Sequence, residues 1–177
     1  MPYLTCPSCG LRTYVVSEGT CAACGTVLRR ARPRAGPRQA EDVEVHGKLA
    51  MARRELRADA ALLSEVDGGR ELVRWAAGDA RYVGLTVPLR DTICERLLDG
   101  RIGALVNDTA THPEVRDLPV VRDGRVRAYI GVPFTTADAR AYVLCCLARE
   151  ARPDLGEGDV AFLQGLAESL RPLLERS

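Results

Sequence analysis

The chain has 177 residues, a formal net charge of +1 and hydrophobic residues at 46% of its positions, which is enough to bury a core. Its length accommodates one core of about 130 residues with a small appendage, and it excludes two full-sized domains. The longest apolar run, AYVLCCLA at 141–148, has strand length and falls well short of the ~20 residues that span a membrane. Because the N-terminus also lacks the basic and then apolar segments of a signal peptide, we expect a cytoplasmic protein with reduced thiols.

Two C-x-x-C pairs, each followed by glycine, occupy the start of the chain as CPSCG at 6–10 and CAACG at 21–25. Such a turn delivers two thiolates from one loop, its glycine allows a positive φ, and zinc takes four thiolates in a tetrahedron. The eleven residues between the pairs suit a short β-hairpin with one pair at each end. Because so small a piece needs metal to fold, we predict a structural zinc ribbon over 1–28. Two disulfides are the alternative. The predicted zinc ligands are Cys6, Cys9, Cys21 and Cys24.

The segment 29–41 is rich in Arg, Pro, Ala and Gly and has no periodicity, which predicts an exposed linker. Residues 1–40 hold six arginines against one acidic residue, Glu18, which would suit an anionic partner. The chain has a single lysine among 25 basic residues, however, so the arginines also fit a general compositional bias. Phosphate contacts from RRARPRAGPR would be independent of base sequence. We therefore expect the ribbon to contact a protein partner, with nucleic acid as the less favoured alternative.

Apolar residues at steps of three, four and seven predict a helix over 42–66. A second helix at the end of the chain carries two neighbouring apolar stripes and contains Pro172, which should loosen its last turn. The two stripes are wider than one packed neighbour requires, so we predict a homodimer formed through the terminal helices. The first seam comprises Val45, Leu49, Ala52, Leu56, Leu63 and Val66; the stripes comprise Val160, Leu163, Ala167, Leu170 and Leu174, and Phe162, Leu166 and Leu173.

Between these helices, β-like segments are separated by turn signals such as GD, DG and TADA. DTICERLL at 91–98 predicts a short helix, with Thr92 and Glu95 as a capping box and Gly100 closing its end. YVLCCL is apolar throughout, so its strand should be central and covered on both faces. This order predicts an α+β domain over 42–177, built on an antiparallel sheet with flanking N- and C-terminal helices. The predicted strands are 71–77, 84–89, 126–134 and 140–148.

From about residue 43 to 175, the order of motifs resembles a GAF domain, a small-molecule sensor module. The resemblance rests on VPLRDTICERLLDG, ALVNDTATHPEVRDLPVV, AYIGVPF, YVLCCLARE and PDLGEGDVAFLQGLAESL. These segments look most like the GAF domains that accompany cyclic-di-GMP phosphodiesterase modules in actinobacteria. The chain ends where such proteins continue, so we expect no catalytic output module. The resemblance implies a ligand pocket on one face of the sheet, roofed by the helix and loops between the strands.

The resemblance also implies which residues surround the ligand. Four of them form a rim at and before the start of the helix 91–98. The others are one cysteine on that helix, two residues of the loop 108–112 and one tyrosine of the strand 126–134. Asp91 could equally serve as a helix cap, and Tyr129 as a core residue. The implied ligand-binding residues are Thr86, Pro88, Asp91, Thr92, Cys94, Asp108, His112 and Tyr129.

The sequence lacks the signatures of several known GAF-domain activities. Bilin attachment uses a cysteine followed by histidine, and none of Cys94, Cys145 and Cys146 precedes one. The acid, lysine and phenylalanine signature of cyclic-nucleotide GAF domains has no candidate, because Lys48 in the first helix is the only lysine. Haem would need an axial histidine, for which His112 is the one candidate outside the first helix.

The three thiols outside the N-terminal pairs leave an enzyme alternative, because free methionine sulfoxide reductases are GAF domains with catalytic cysteines. Such catalysis needs a low-pKa thiolate and a resolving thiol within reach. Cys145 and Cys146 point to opposite faces of their strand, so only one of them can face the pocket, with Cys94 as its partner. Buried cysteines are usually inert, and we therefore predict no catalytic residue. The expected function is a non-enzymatic regulator that senses a small molecule; a thiol-dependent redox protein and a DNA-binding regulator are the alternatives.

Overall fold

The computed structural model describes residues 3–5, 9, 12–14, 18–20, 24, 27–29 and 37–175. The chain divides into two compact units, Met1–Gly36 and Pro37–Ser177. In the first unit, the described strands are β1 (Tyr3–Thr5), β2 (Arg12–Tyr14), β3 (Glu18–Thr20) and β4 (Val27–Arg29).

These four strands form two antiparallel hairpins, β1 with β2 and β3 with β4. The sequence predicted one hairpin with a cysteine pair at each end, whereas each described hairpin has one pair in its connecting segment. Cys9 and Cys24 each lie in an exposed turn. Cys6 and Cys21 fall outside the described residues, so the predicted four-thiolate set remains a prediction.

The second unit begins with a helix at Pro37, inside the predicted linker, and ends with a helix that reaches Leu174. Its helices are α1 (Pro37–Glu55), α2 (Ile93–Leu98), α3 (Pro119–Arg122) and α4 (Glu157–Leu174). Its strands are β5 (Ala60–Asp67), β6 (Arg70–Ala77), β7 (Thr86–Pro88), β8 (Leu105–Val106), β9 (Ala128–Thr135) and β10 (Ala141–Ala148).

The six strands form an antiparallel sheet in the order β7-β6-β5-β10-β9-β8, which confirms the predicted α+β class. The strand β10 is central, as its unbroken apolar sequence predicted, and both of its faces are covered. Cys145 packs into the core on one face and Cys146 into the core on the other. Alternate residues of β10 therefore point to opposite faces of the sheet and pack into different hydrophobic cores.

The predicted helix over 42–66 is wrong in its second half. Helix α1 ends at Glu55, Arg57 takes a left-handed conformation with φ of 48°, and β5 follows from Ala60. The apolar spacing from Leu56 to Leu63 fits a helix, but four consecutive apolar residues at 60–63 also suit a strand buried on both faces. Pairing with β6 and β10 on either side selects the strand.

Helices α1 and α4 cover one face of the sheet and pack against each other. Six residues of α4 are buried, including members of both predicted stripes. The breadth of its apolar surface is therefore used within one chain, by the sheet and by α1. Helix α4 continues through Pro172 to Leu174. The Trp75 indole N–H donates to Asp42 Oδ1 at 2.9 Å, which joins β6 to the start of α1.

The opposite face of the sheet is covered by α2, α3 and the loops around them. Thr92 caps α2 as predicted, since its Oγ1 accepts the Glu95 N–H at 3.2 Å, and Gly100 follows with φ of 70°. The second half of the predicted capping box is absent among these residues. The Thr92 N–H donates to Leu89 O, and the Glu95 carboxylate pairs with Arg96 and Arg101.

Among the residues that the structure describes, no helix combines the length and the apolar character needed to cross a bilayer.

Candidate functional site

A cavity of about 390 Å³ lies on the sheet face opposite α1 and α4. Strands β5, β6, β9 and β10 form its floor, while β7, α2, α3 and the 3-10 turn Ala80–Tyr82 surround it. Its volume is in the range of small-molecule pockets. Apolar side chains make up most of its wall, among them Leu62, Val73, Leu85, Val87, Ile93 and Val120.

Four polar side chains from four elements meet at the floor of this cavity: Glu71, Cys94, Tyr129 and Cys145. The Cys94 thiol donates to Glu71 Oε1 at 3.4 Å and lies 3.5 Å from the Tyr129 hydroxyl. All four residues are buried, with Glu71 only 5% exposed. We call these residues the floor cluster.

Local structure explains how each member reaches the cluster. Because Thr92 caps α2, Cys94 lies in the first turn of that helix and faces the sheet. Glu71 shares the buried face of β6 with Val73. Tyr129 extends over Gly131, its neighbour two positions along β9, and Gly131 is paired with Cys145 on β10.

The surroundings of the cluster keep its thiols and phenol protonated. The hydrogen bond with Cys145, together with burial, raises the pKa of Cys94 well above its ordinary value. For Cys145, the hydrogen bond with Cys94 acts to lower the pKa, but burial and the nearby Glu71 outweigh it and the pKa is raised. Burial likewise raises the pKa of Tyr129 well above its ordinary value. At neutral pH these groups are therefore hydrogen-bond donors and not nucleophiles.

The mouth of the cavity is charged. Asp91, Asp123 and Arg125 line it, and the guanidinium of Arg125 is paired with the Asp123 carboxylate at 3.9 Å. Both partners are exposed, so solvent screens this pair.

The structure brings together five of the eight residues that the resemblance implied. Pro88, Asp91, Thr92, Cys94 and Tyr129 line the cavity.

The other three implied residues lie outside the cavity lining. Thr86 is an exposed residue at the start of β7. Asp108 accepts hydrogen bonds from Arg127 at 3.1 and 3.0 Å and from the Ala110 N–H at 3.0 Å. The bonds from Arg127 lower the pKa of Asp108, so this carboxylate stabilises its own loop. His112 accepts the Glu114 N–H at 3.3 Å through Nδ1, as expected of a turn residue.

Sequence reasoning missed Glu71, the most buried acidic side chain of the site. The signal was present in ELVRWAA, where period-two alternation places Glu71 on the same face as Val73. A carboxylate at a position where alternation demands an apolar residue marks a functional candidate. Tyr82 and Arg125 were also missed, because only the folded loops bring them to the cavity.

An antiparallel sheet with long helices on one face and a roofed, mostly apolar cavity on the other defines a small-molecule-binding α+β domain. The GAF domain family model matches residues 49–175, which is well over half of the chain. The protein therefore belongs to the GAF domain family.

A cyclic di-GMP phosphodiesterase of Pseudomonas aeruginosa is 35% identical over 122 residues, which cover 67% of this chain and 20% of that protein. The chain thus spans about a fifth of the length of this relative.

Solved structures share the fold at lower identity. The blue-light-absorbing PixJ GAF domain of Thermosynechococcus elongatus has a TM-score of 0.63 and 18% identity, covering 82% of this chain and 90% of that one. The GAF domain of an Acinetobacter phosphoenolpyruvate-protein phosphotransferase has a TM-score of 0.61 and 14% identity, covering 81% of this chain and 85% of that one. Free methionine-R-sulfoxide reductase of Neisseria meningitidis, solved with its substrate, has a TM-score of 0.60 and 17% identity, covering 76% and 78%.

Proposed function

We propose that this protein is a non-enzymatic cytoplasmic regulator whose GAF domain senses a small molecule in the cavity above the floor cluster. The observation that carries the proposal is the cavity itself: about 390 Å³, apolar in its walls, with convergent polar groups at its base. Ligand pockets of this kind use the walls for affinity and a few polar groups for orientation. Membership of a family of sensor domains supports the same conclusion.

The alternation of β9 offers a route from the ligand to the terminal helices. Tyr129 faces the cavity, whereas Ile130 packs into the core beneath α1 and α4. A ligand that draws α2 and α3 over the cavity would change how β9 is packed on both faces. It would alter the output only if it binds one arrangement of the helices more tightly than the other.

The N-terminal unit is proposed to be a zinc ribbon that contacts a protein partner. Four cysteines are a suitable donor set for tetrahedral zinc, and Cys9 and Cys24 lie in turns, as such ligands do. Zinc bound by all four thiolates would stabilise this small unit and leave no coordination position open for catalysis. Binding of this unit to DNA is the weaker alternative.

We further propose a homodimer formed through the terminal helices. Val43 is 73% exposed on α1, and Met51, eight residues further along the same helix, is also exposed. Light scattering on the purified protein tests this: Val43→Glu with Met51→Glu should give a monomer. Val83→Glu, an exposed apolar residue outside the two helices, is the control and should leave the dimer intact. A monomeric unaltered protein would exclude the dimer.

A thiol-dependent redox protein is the second candidate, because Cys94 and Cys145 both lie in the floor cluster and line the same cavity. Their raised pKa values oppose it, since the thiolate is the reactive form. Assays of free methionine sulfoxide reduction by the protein and by Cys94→Ser decide between the two candidates. Turnover that is lost in Cys94→Ser would establish the enzyme and overturn the sensor proposal.

The sensor proposal is tested by screening a chemically varied metabolite library for shifts in melting temperature. A ligand of the cavity should stabilise the folded protein by RT ln(1 + [L]/Kd), so its melting temperature should rise with ligand concentration. The effect should vanish in Val120→Trp, which fills the cavity from α3, and persist in the control Ala137→Trp, at an exposed turn residue outside the cavity lining and outside the terminal helices. If no compound shifts the unaltered protein at saturating concentration, or if the shifts persist in Val120→Trp, the proposal fails.

A further inference from the structure

Glu71 has an unusual position for an acidic side chain. It is 5% exposed and lines the cavity, and its Oε2 atom is buried with no hydrogen-bond partner among the described residues. Its other oxygen, Oε1, accepts only the weak thiol donor of Cys94 at 3.4 Å. Within the described part of the chain, no arginine, lysine or histidine side chain forms an ion pair with this carboxylate. A buried carboxylate in this state carries a large uncompensated desolvation cost.

The hydrogen bonds of the floor cluster leave one carboxylate oxygen open. The Cys94 thiol donates to Glu71 Oε1 and lies 3.5 Å from the Tyr129 hydroxyl. Among the described residues, Oε2 of Glu71 has no hydrogen-bond partner, so this oxygen is an acceptor that a ligand can use.

The charges at the mouth of the cavity are balanced. Asp123 is paired with Arg125 at 3.9 Å, and Asp91 is paired with Arg90 at 3.9 Å. Among the carboxylates that line the cavity in the described part of the chain, Glu71 is therefore the one without an ion-pair partner.

We propose that the ligand is an apolar molecule that carries a protonated amine, whose N–H donates to Oε2 of Glu71 while its body packs on the apolar walls. This inference rests on the proposed sensor function, because it names the chemical class that the same cavity takes. An ammonium group supplies both of the things that Glu71 lacks, a donor and a counter-charge. An organic amine also suits walls formed by Leu62, Val73 and Ile93 better than a highly polar ligand does.

The test uses three probes that share a phenyl body and differ in the polar group: phenethylamine, 2-phenylethanol and 3-phenylpropionate. Their dissociation constants are measured by NMR titration on the unaltered protein. We expect the amine to bind at least tenfold more tightly than the alcohol, and the carboxylate to bind most weakly. Hydrogen bonds to a charged partner correspond to about ten- to a hundredfold in affinity.

Two matched variants test whether the Glu71 carboxylate is the group that binds the amine. Glu71→Gln preserves the shape of the side chain and removes its charge. It should weaken the binding of phenethylamine at least tenfold and change the affinity for 2-phenylethanol less than threefold. Glu65→Gln alters a neighbouring strand on the helix-covered face, where Glu65 faces Arg74, and should leave all three affinities unchanged. If Glu71→Gln does not fold, the ranking of the three probes on the unaltered protein still decides.

The inference is overturned if the alcohol or the carboxylate binds as tightly as the amine, if Glu71→Gln leaves the amine unaffected, or if the amine does not bind. None of these results removes the sensor proposal, which is tested separately by the library screen with its Val120→Trp control and by the methionine sulfoxide assay. The two proposals can therefore fail separately.

Discussion

Tyr129 lies directly over Gly131, so that a Cβ on Gly131 would come within 2.6 Å of Tyr129 Cζ. The two residues are on the same face of β9, and the ring occupies the space that a side chain at position 131 would need. This arrangement lets the Tyr129 hydroxyl reach Cys94. The absence of a side chain at position 131 is thus a requirement of the floor cluster.

Gly131→Ala should therefore displace the Tyr129 ring and destabilise the protein by about 1–3 kcal/mol, the usual cost of overpacking a core. Urea unfolding measures the change. Gly165→Ala is the matched control, because Gly165 is an exposed residue of α4 with open space around its Cα. Alanine there should stabilise the protein by about 0.5–1 kcal/mol through helix propensity. In Tyr129→Leu, which removes the ring, the cost of Gly131→Ala should fall; equal costs in both backgrounds would contradict this account.

Thr92→Ala should lower the free energy of unfolding by about 1 kcal/mol, because it removes the oxygen that caps α2. The same oxygen donates to Leu89 O at 2.8 Å, so the preceding turn also loses a bond. Thr92→Ser keeps the hydroxyl and should recover most of the loss. Chemical denaturation of both variants tests this, and an equal loss in the serine variant would show that the methyl group, and not the cap, matters.

Stability should decrease in alkaline solution. Burial raises the pKa of Cys146 to about 12 from an ordinary 9.0, so in the unfolded chain this thiol ionises first. Its contribution is fully present below pH 9 and is lost as the pH rises toward 12. Between pH 8 and 10.5 this thiol alone should remove about 2 kcal/mol.

Unfolding free energies measured with reductant between pH 8 and 10.5 test this expectation. Cys146→Ala should be less stable at pH 8 but should show a shallower decline than the parent. The remaining decline comes from Cys94, Cys145 and Tyr129, whose pKa values are raised in the same direction. An unchanged slope in Cys146→Ala would mean that this thiol does not ionise as proposed.

The purified protein should contain one zinc ion per chain, measured by inductively coupled plasma mass spectrometry. Cys21→Ser removes one proposed ligand and should reduce the bound zinc to well below half of one equivalent. Cys146→Ser, in the core beneath α1 and α4, should leave the stoichiometry unchanged. Metal-free parent protein, or equal zinc in both variants, would reject the zinc ribbon.

The sequence determined those features that depend on local pattern. An apolar run with no polar interruption identified β10 as the central strand, because only a strand covered on both faces tolerates it. Thr92 and Gly100 marked the ends of α2, because caps are properties of a few adjacent residues. The order of such motifs was also enough to indicate the family, which the family model confirms.

The tertiary structure decided what depends on residues far apart in the chain. The segment 60–67 fits a helix or a strand by its spacing, and pairing with β6 and β10 made it β5. Glu71, Cys94, Tyr129 and Cys145 come from four separate elements, so no local pattern could show that they meet at one cavity floor. The carboxylate of Glu71 became a site residue only when burial removed its solvent and the fold supplied no partner for Oε2.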